Sequence, residues 1–151
     1  MRYIERIRQP GENLLYRSKI HWIVYVPGVL LWIVAIVVFF IGIESPAKEI
    51  GLLAALLLAL IAAASTLHAW FRRWTTEIDV TDRRIVYKRG FIRRHTVEMN
   101  MDKVESVDVD QTVLGRLLGY GTIKVRGTGG GLEPLPKVEA PLDFRNHVTA
   151  R

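Results

Sequence analysis

The stretch KRGFIRRH, residues 88–95, sets four cations and a histidine around an apolar pair, Phe91 and Ile92, with no acidic residue between them. Such a stretch suits an anion. Guanidinium and ammonium groups meet phosphate oxygens through charge-assisted hydrogen bonds. An apolar pair beside them can enter the edge of a lipid layer. Arg72 and Arg73 extend the same basic set. The candidate lipid-contacting residues are therefore Arg72, Arg73, Lys88, Arg89, Phe91, Ile92, Arg93 and Arg94. Each cation near an anionic surface contributes on the order of 1 kcal/mol. In the plainer alternative, Gly90 is the turn of a hairpin and its basic flanks are simply solvated.

No other stretch assembles a reaction centre. The chain has no cysteine, which excludes disulfides, thiolate metal sites and cysteine nucleophiles. Ser65, Thr66 and Ser106 have no base that the sequence pairs with them. Asp108 and Asp110 share one strand face and Glu105 lies on the other. These are too few carboxylates for a metal, and the two aspartates are read as partners of basic strands or as solvated. The run GTGGG, residues 127–131, lacks the Gly-Lys-Ser/Thr ending of a phosphate loop and reads as a turn. His21 and His68 fall at similar depth on two antiparallel apolar runs, and a histidine pair on adjacent helices can ligate a haem. Their bland role is to hydrogen-bond headgroups or backbone. No further haem feature accompanies them. The expectation is no catalytic residue, no metal and no cofactor.

The elements that must position the basic stretch begin with two apolar runs. Half of the 151 residues are hydrophobic and the net charge is +6, a balance that suits a membrane protein with a basic soluble face. Residues 20–43 and 50–71 contain no Asp, Glu, Lys or Arg. As helices they reach about 36 and 33 Å, enough to cross a hydrocarbon core of ~30 Å. Neither has a polar face for water. The connection, residues 44–49, is short, so the runs form a transmembrane hairpin (20–71) with both chain ends on one side. Five Lys/Arg lie within residues 1–19 and Arg72 and Arg73 follow the second run, whereas the connection holds only Lys48. The positive-inside rule then puts both termini in the cytoplasm. Trp22, Tyr25, Trp70, Phe71 and Trp74 form an interfacial belt at that end.

Small residues recur along both runs. Gly28, Ala35 and Gly42 are spaced by seven, as are Ala55, Ala62 and Ala69, so each set is one helix face that permits close approach. The two seams are expected to face each other. Gly51, Ala55, Ala59 and Ala63 make a second small face suited to another subunit or to self-association, unless they reflect only the frequency of alanine in membrane helices. Pro27-Gly28 predicts a kink.

After Trp74 the pattern shortens to alternating strands. They are expected at 75–80, 84–89, 91–99, 104–110 and 122–126, with an edge strand at 132–138. Residues 111–118 read as a short helix with an apolar stripe of Val113, Leu114, Leu117 and Leu118, and Gly119 as its C-cap. Pro141 opens a terminal helix whose expected buried side is Leu142, Phe144 and Val148. This is a small antiparallel sheet or open barrel closed by a helix. Residues 72–95 carry net charge +5 and residues 96–151 carry −1, so the basic side is the one that leaves the membrane.

Residues 79–125, DVTDRRIVYKRGFIRRHTVEMNMDKVESVDVDQTVLGRLLGYGTIKV, resemble the bacterial pleckstrin-homology-like domain family, the group typified by the YdbS-type membrane proteins. Thr81, Asp82, Arg84, Gly90, Lys103, Val104, Ser106, Val107, Gly115, Arg116, Gly119 and Gly121 occupy the places of its pattern. PGENLLYRSKIHW, residues 10–22, is similar to segments that precede the membrane hairpin in such proteins. The resemblance implies a two-helix hairpin followed by a small, mainly-β PH-like domain (74–151) in the bacterial cytoplasmic membrane, non-catalytic and without a defined ligand. Only 78 residues follow Arg73, few for a seven-stranded barrel with a full closing helix, which leaves room for a neighbouring subunit to help close it.

Two functions are expected from these features. The first is an accessory or scaffolding subunit of a membrane complex, since small-residue faces suit protein contacts and no catalytic set exists. The second is a module that reads anionic membrane lipids through the 88–95 tip, as a basic first hairpin does for inositol phosphates in eukaryotic pleckstrin-homology domains. Nucleic acid is not an expected partner, because topology already explains the charge.

Overall fold

The computed structural model describes residues 3–91, 94–132 and 134–150. The chain divides into two units: Trp22–Arg72, and Met1–His21 together with Arg73–Arg151.

The first unit is the helical hairpin. A short 3-10 turn, Trp22–Tyr25, leads into helix α2 (Val26–Glu44), and α3 (Lys48–Thr75) returns. The helix ahead of both, α1 (Tyr3–Ile7), belongs to the other unit. Most apolar side chains of α2 and α3 are exposed: Leu30 is 56% accessible, Ile41 66%, Ile50 72% and Leu67 63%. A soluble core helix buries such residues; these two present them to a hydrocarbon medium. What is buried is small: Gly28, Ala35 and Gly42 on α2, and Ala55, Ala62 and Ala69 on α3. Gly28 lies against Thr66 and Gly42 against Gly51, so the helices run antiparallel.

Three expectations change here. Gly51 does not head a second face; it sits in the seam, where the three-residue connection 45–47 forces the backbones together. Ala59 is half-buried and Ala63 exposed. Pro27 makes no kink, because it falls in the first turn of α2, where its missing N–H costs no hydrogen bond. Helix α3 also runs to Thr75, past the expected end at 71 and into the expected first strand.

The second unit contains two antiparallel sheets. The first has the order β1 (Leu14–Ser18), β2 (Glu77–Thr81), β3 (Arg84–Arg89), β4 (His95–Asn100). After a 3-10 turn at Met101–Lys103, the second contains β5 (Val104–Asp110), β6 (Tyr120–Gly127), β7 (Gly130–Gly131) and β8 (Leu135–Glu139), with β8 paired to β6. Helix α4 (Val113–Leu118) joins β5 to β6, and α5 (Pro141–Thr149) closes the unit. Ile78, Val80, Ile85, Ile123, Val125, Leu135, Val138 and Phe144 are buried together as its core.

Strand β1 was not expected. Residues 1–19 are not the separate segment expected, nor does the domain start at 74. Tyr16, Arg17 and Ser18 instead pair with Val80, Asp79 and Ile78, so the chain's own N-terminal side adds a strand to the sheet. Its arrival explains why four successive residues of β2, from Ile78 to Thr81, are all buried. Ile78 and Val80 face the core, while Asp79 and Thr81 face the N-terminal segment. There Arg17 Nε donates to Asp79 Oδ1 at 2.9 Å and Thr81 Oγ1 donates to Glu12 Oε1 at 2.8 Å. Glu12 also accepts from Arg84 Nε and Nη2 at 3.0 and 2.9 Å and from the Gln9 amide at 2.8 Å. Burial by itself would raise the Glu12 pKa, but the Arg84 hydrogen bond, the Gln9 amide and the Thr81 hydroxyl outweigh it and hold the value at about 2.

Helix α4 differs from expectation in what it faces. Thr112 caps it, with its Oγ1 accepting from Gly115 N, and Gly119 ends it in the left-handed conformation. Only Gly115 is buried; Val113, Leu114, Leu117 and Leu118 are exposed. On α5, Phe144 and Val148 are buried as expected, but Leu142 is 45% accessible. Pro141 takes the buried place at the start of that helix.

Candidate anion-binding cleft

A cleft of about 510 Å³ opens in the folded unit between α1, the end of β1, the 73–79 segment and the β3–β4 connection. Six cations line it: Arg6, Arg17, Lys19, Arg73, Lys88 and Arg94. Two acids, Glu77 and Asp79, share it. Local structure explains their convergence. The antiparallel pairing of Glu77 with Lys88 sets those side chains on one face of the sheet. The β1–β2 register puts Arg17 opposite Asp79. Helix α1 docks through the Tyr3 amide, which donates to Glu77 Oε2 at 2.9 Å, and so brings Arg6 to the rim.

Both acids are engaged. Glu77 Oε1 lies 3.4 Å from Lys88 Nζ, which also stands 5.5 Å over the Tyr3 ring. Asp79, 2% accessible, is bridged by Arg17. The side chains of Arg6, Lys19 and Arg94 make no hydrogen bond or ion pair among the described residues. The cleft therefore carries an excess of positive charge whose neutralising acids are already used, the arrangement that receives a multiply charged oxyanion. At the rim the Trp74 and Phe91 rings lie 5.6 Å apart, 59% and 55% accessible. Two exposed aromatics in contact beside cations are suited to a headgroup layer.

Of the residues expected to contact lipid, Arg73, Lys88, Phe91 and Arg94 line the cleft. Ile92 and Arg93 lie outside the described residues. Arg89 is exposed and alternates with Lys88 along β3, so it points to the other face of the sheet. Arg72 ends the hairpin unit and is not among the lining residues. Arg6, Arg17 and Lys19 were missed: they entered only as charges that orient the chain. One signal existed, since Asp79 sits between two core residues and a buried carboxylate needs a cation.

The other candidates resolve plainly. His21 is buried, stacks on Tyr120 at 5.2 Å and donates its amide to the Lys137 carbonyl, so its ring is committed within the folded unit; His68 is exposed on α3. Asp110 pairs with Lys124 at 2.6 Å and Asp108 with Arg126 at 3.0 Å. No group of acids and histidines among the described residues has the makings of a metal site.

Comparison with known proteins agrees with this architecture. The family model described as Bacterial PH domain matches residues 22–151. The UPF0699 transmembrane protein YdbT of Bacillus subtilis (strain 168) is 26% identical over 61 residues, which are 40% of this chain and 12% of that protein. The match thus spans about an eighth of the relative's length. No solved structure matches the chain significantly.

Proposed function

The chain belongs to the bacterial PH domain family and is a membrane protein with a PH-like domain, and we propose that this domain is a non-catalytic module that holds phosphate groups of anionic membrane lipids in its basic cleft. What carries this is the pairing pattern: Glu77 and Asp79 are taken up by Lys88 and Arg17, leaving Arg6, Lys19 and Arg94 for an outside anion. Connectivity supports it. Lys19 precedes the first apolar helix by a few residues, and Arg73 and Trp74 belong to the last turn of the second. The cleft is therefore tethered at a bilayer surface by both of its chain ends, and a weak site suffices because tethering raises the effective lipid concentration. The excess of Lys and Arg at those chain ends over the single Lys48 of the connection supports both termini and the domain lying on the cytoplasmic side of the inner membrane.

The test uses the full chain in nanodiscs of phosphatidylethanolamine and phosphatidylglycerol, with native mass spectrometry of the lipids retained on release. The parent chain is expected to keep phosphatidylglycerol in excess of its share, and to lose it in the triple variant Arg6→Glu, Lys19→Glu, Arg94→Glu and at high salt. Equal retention by parent and triple variant ends the proposal. Stoichiometric protein chains that follow the protein out of its own membranes, regardless of cleft charge, would favour an accessory or scaffolding subunit instead.

A further inference from the structure

Helix α4 has the sequence VLGRLL, and four of its six residues are large and apolar. Val113 is 84% accessible, Leu114 63%, Leu117 80% and Leu118 38%. The helix cannot roll to hide them. Its one buried residue is Gly115, where an added Cβ would lie 2.7 Å from the Tyr120 carbonyl oxygen. Gln111 Nε2 donates to that same oxygen at 3.0 Å, and the Thr112 cap and left-handed Gly119 fix both ends. Close by, Leu142 borders the same shallow depression as Arg116, and it too is exposed. The result is a rigid apolar knob whose only charge on the helix is a cation, Arg116. Contiguous exposed apolar side chains held this firmly mark a binding surface.

Chain connectivity identifies the occupant. Tyr120, two residues past α4, stacks on His21, and the next residue, Trp22, begins the apolar helical hairpin. The knob is thus tied to the place where the chain enters the bilayer. We infer that α4 inserts Val113, Leu114 and Leu117 into the headgroup–acyl boundary of the membrane that holds the hairpin, with Arg116 reaching lipid phosphates. This surface is separate from the basic cleft and stands or falls without it.

The absence of cysteine from the chain makes a direct test possible. Val113→Cys and Leu117→Cys, each labelled with an environment-sensitive fluorophore, are reconstituted as the full chain in vesicles of phosphatidylethanolamine and phosphatidylglycerol. Both positions are exposed, so the labels leave the fold intact. Glu105→Cys serves as control: it is exposed on β5, at the opposite end of that strand from the Asp110–Thr122 pairing beside Tyr120. The expected result is blue-shifted emission at 113 and 117 that is quenched by lipids carrying a shallow doxyl group, with water-like, unquenched emission at 105. Water-like emission at 113 and 117 overturns the inference. Blue-shifted emission that doxyl lipid fails to quench also overturns it, because the knob would then be covered by protein, such as a second copy.

Discussion

Glu12 and Arg84 are 72 residues apart in sequence and 2.9 Å apart in space, carboxylate Oε2 to guanidinium Nη2. The Glu12 side chain is fully buried, and the bond spans the entire membrane hairpin in sequence. It fastens the N-terminal segment to β3, as the β1–β2 ladder fastens it to β2. The folding unit is consequently discontinuous. Residues 73–151 alone should fail to fold, since they lack β1 and leave Asp79 and Thr81 uncovered. Residues 1–21 joined to 73–151 by a Gly/Ser linker of about eight residues should fold without the hairpin. Amide chemical-shift dispersion of the two proteins checks this; equal dispersion would show β1 to be dispensable.

In that joined protein, Glu12→Gln keeps the side chain's shape and removes its charge. Arg84 then retains Glu98 as its carboxylate partner, which lies on its more exposed side. Breaking one half of a buried ion pair costs about 3 kcal/mol, because the remaining charge stays desolvated. Urea denaturation should show a midpoint shift of that size with an unchanged slope. A loss within about 0.5 kcal/mol would mean that water replaces the carboxylate.

Glu12 also sets an acid limit. Its pKa falls from 4.5 in the unfolded chain to about 2 in the folded one. A depressed carboxylate stabilises the fold at every pH above its unfolded value, and that contribution drains away as pH falls from 4.5 towards 2. The shift corresponds to about 3 kcal/mol. Denaturation midpoints measured down this range should fall steeply for the parent, and less so for Glu12→Gln, which has no proton to take up there. Parallel curves would locate the acid sensitivity elsewhere.

The two apolar helices and most strands were legible because their signals are local: long uncharged runs, and alternation such as Ile78/Val80 or Ile123/Val125. Strand β1 was not. LLYRS has no clean alternation, and its partner lies beyond the hairpin, so only the pairing of Tyr16 with Val80 reveals it. The cleft was half legible for the same reason. Lys88, Phe91 and Arg94 stand out in one run, whereas Arg6, Arg17 and Lys19 arrive from the far side of the membrane segment. The apolar stripe of α4 was visible, but a stripe says that a face is apolar and not what it meets.

The seam of the hairpin rests on backbone contact at its turn. A Cβ on Gly42 would sit 2.9 Å from the Gly51 carbonyl carbon, and one on Gly51 would sit 2.6 Å from the Gly42 Cα. Backbone cannot step aside there as a side chain can, so Gly42→Ala or Gly51→Ala should force the helices apart near the connection and cost about 1–3 kcal/mol. At the other end the clash is of another kind: a Cβ on Gly28 would lie 2.5 Å from Thr66 Oγ1, a hydroxyl that donates to the Ala62 carbonyl at 2.8 Å. Gly28→Ala should therefore destabilise the hairpin by itself and recover in part when combined with Thr66→Ala, which removes the offending oxygen. No second-site change of that sort relieves Gly42→Ala. Thermal denaturation of the full chain in detergent, read by helical circular dichroism, separates the cases. Equal recovery at both ends would mean that the hairpin tolerates added volume by general splaying and that its seam is not held at the glycines.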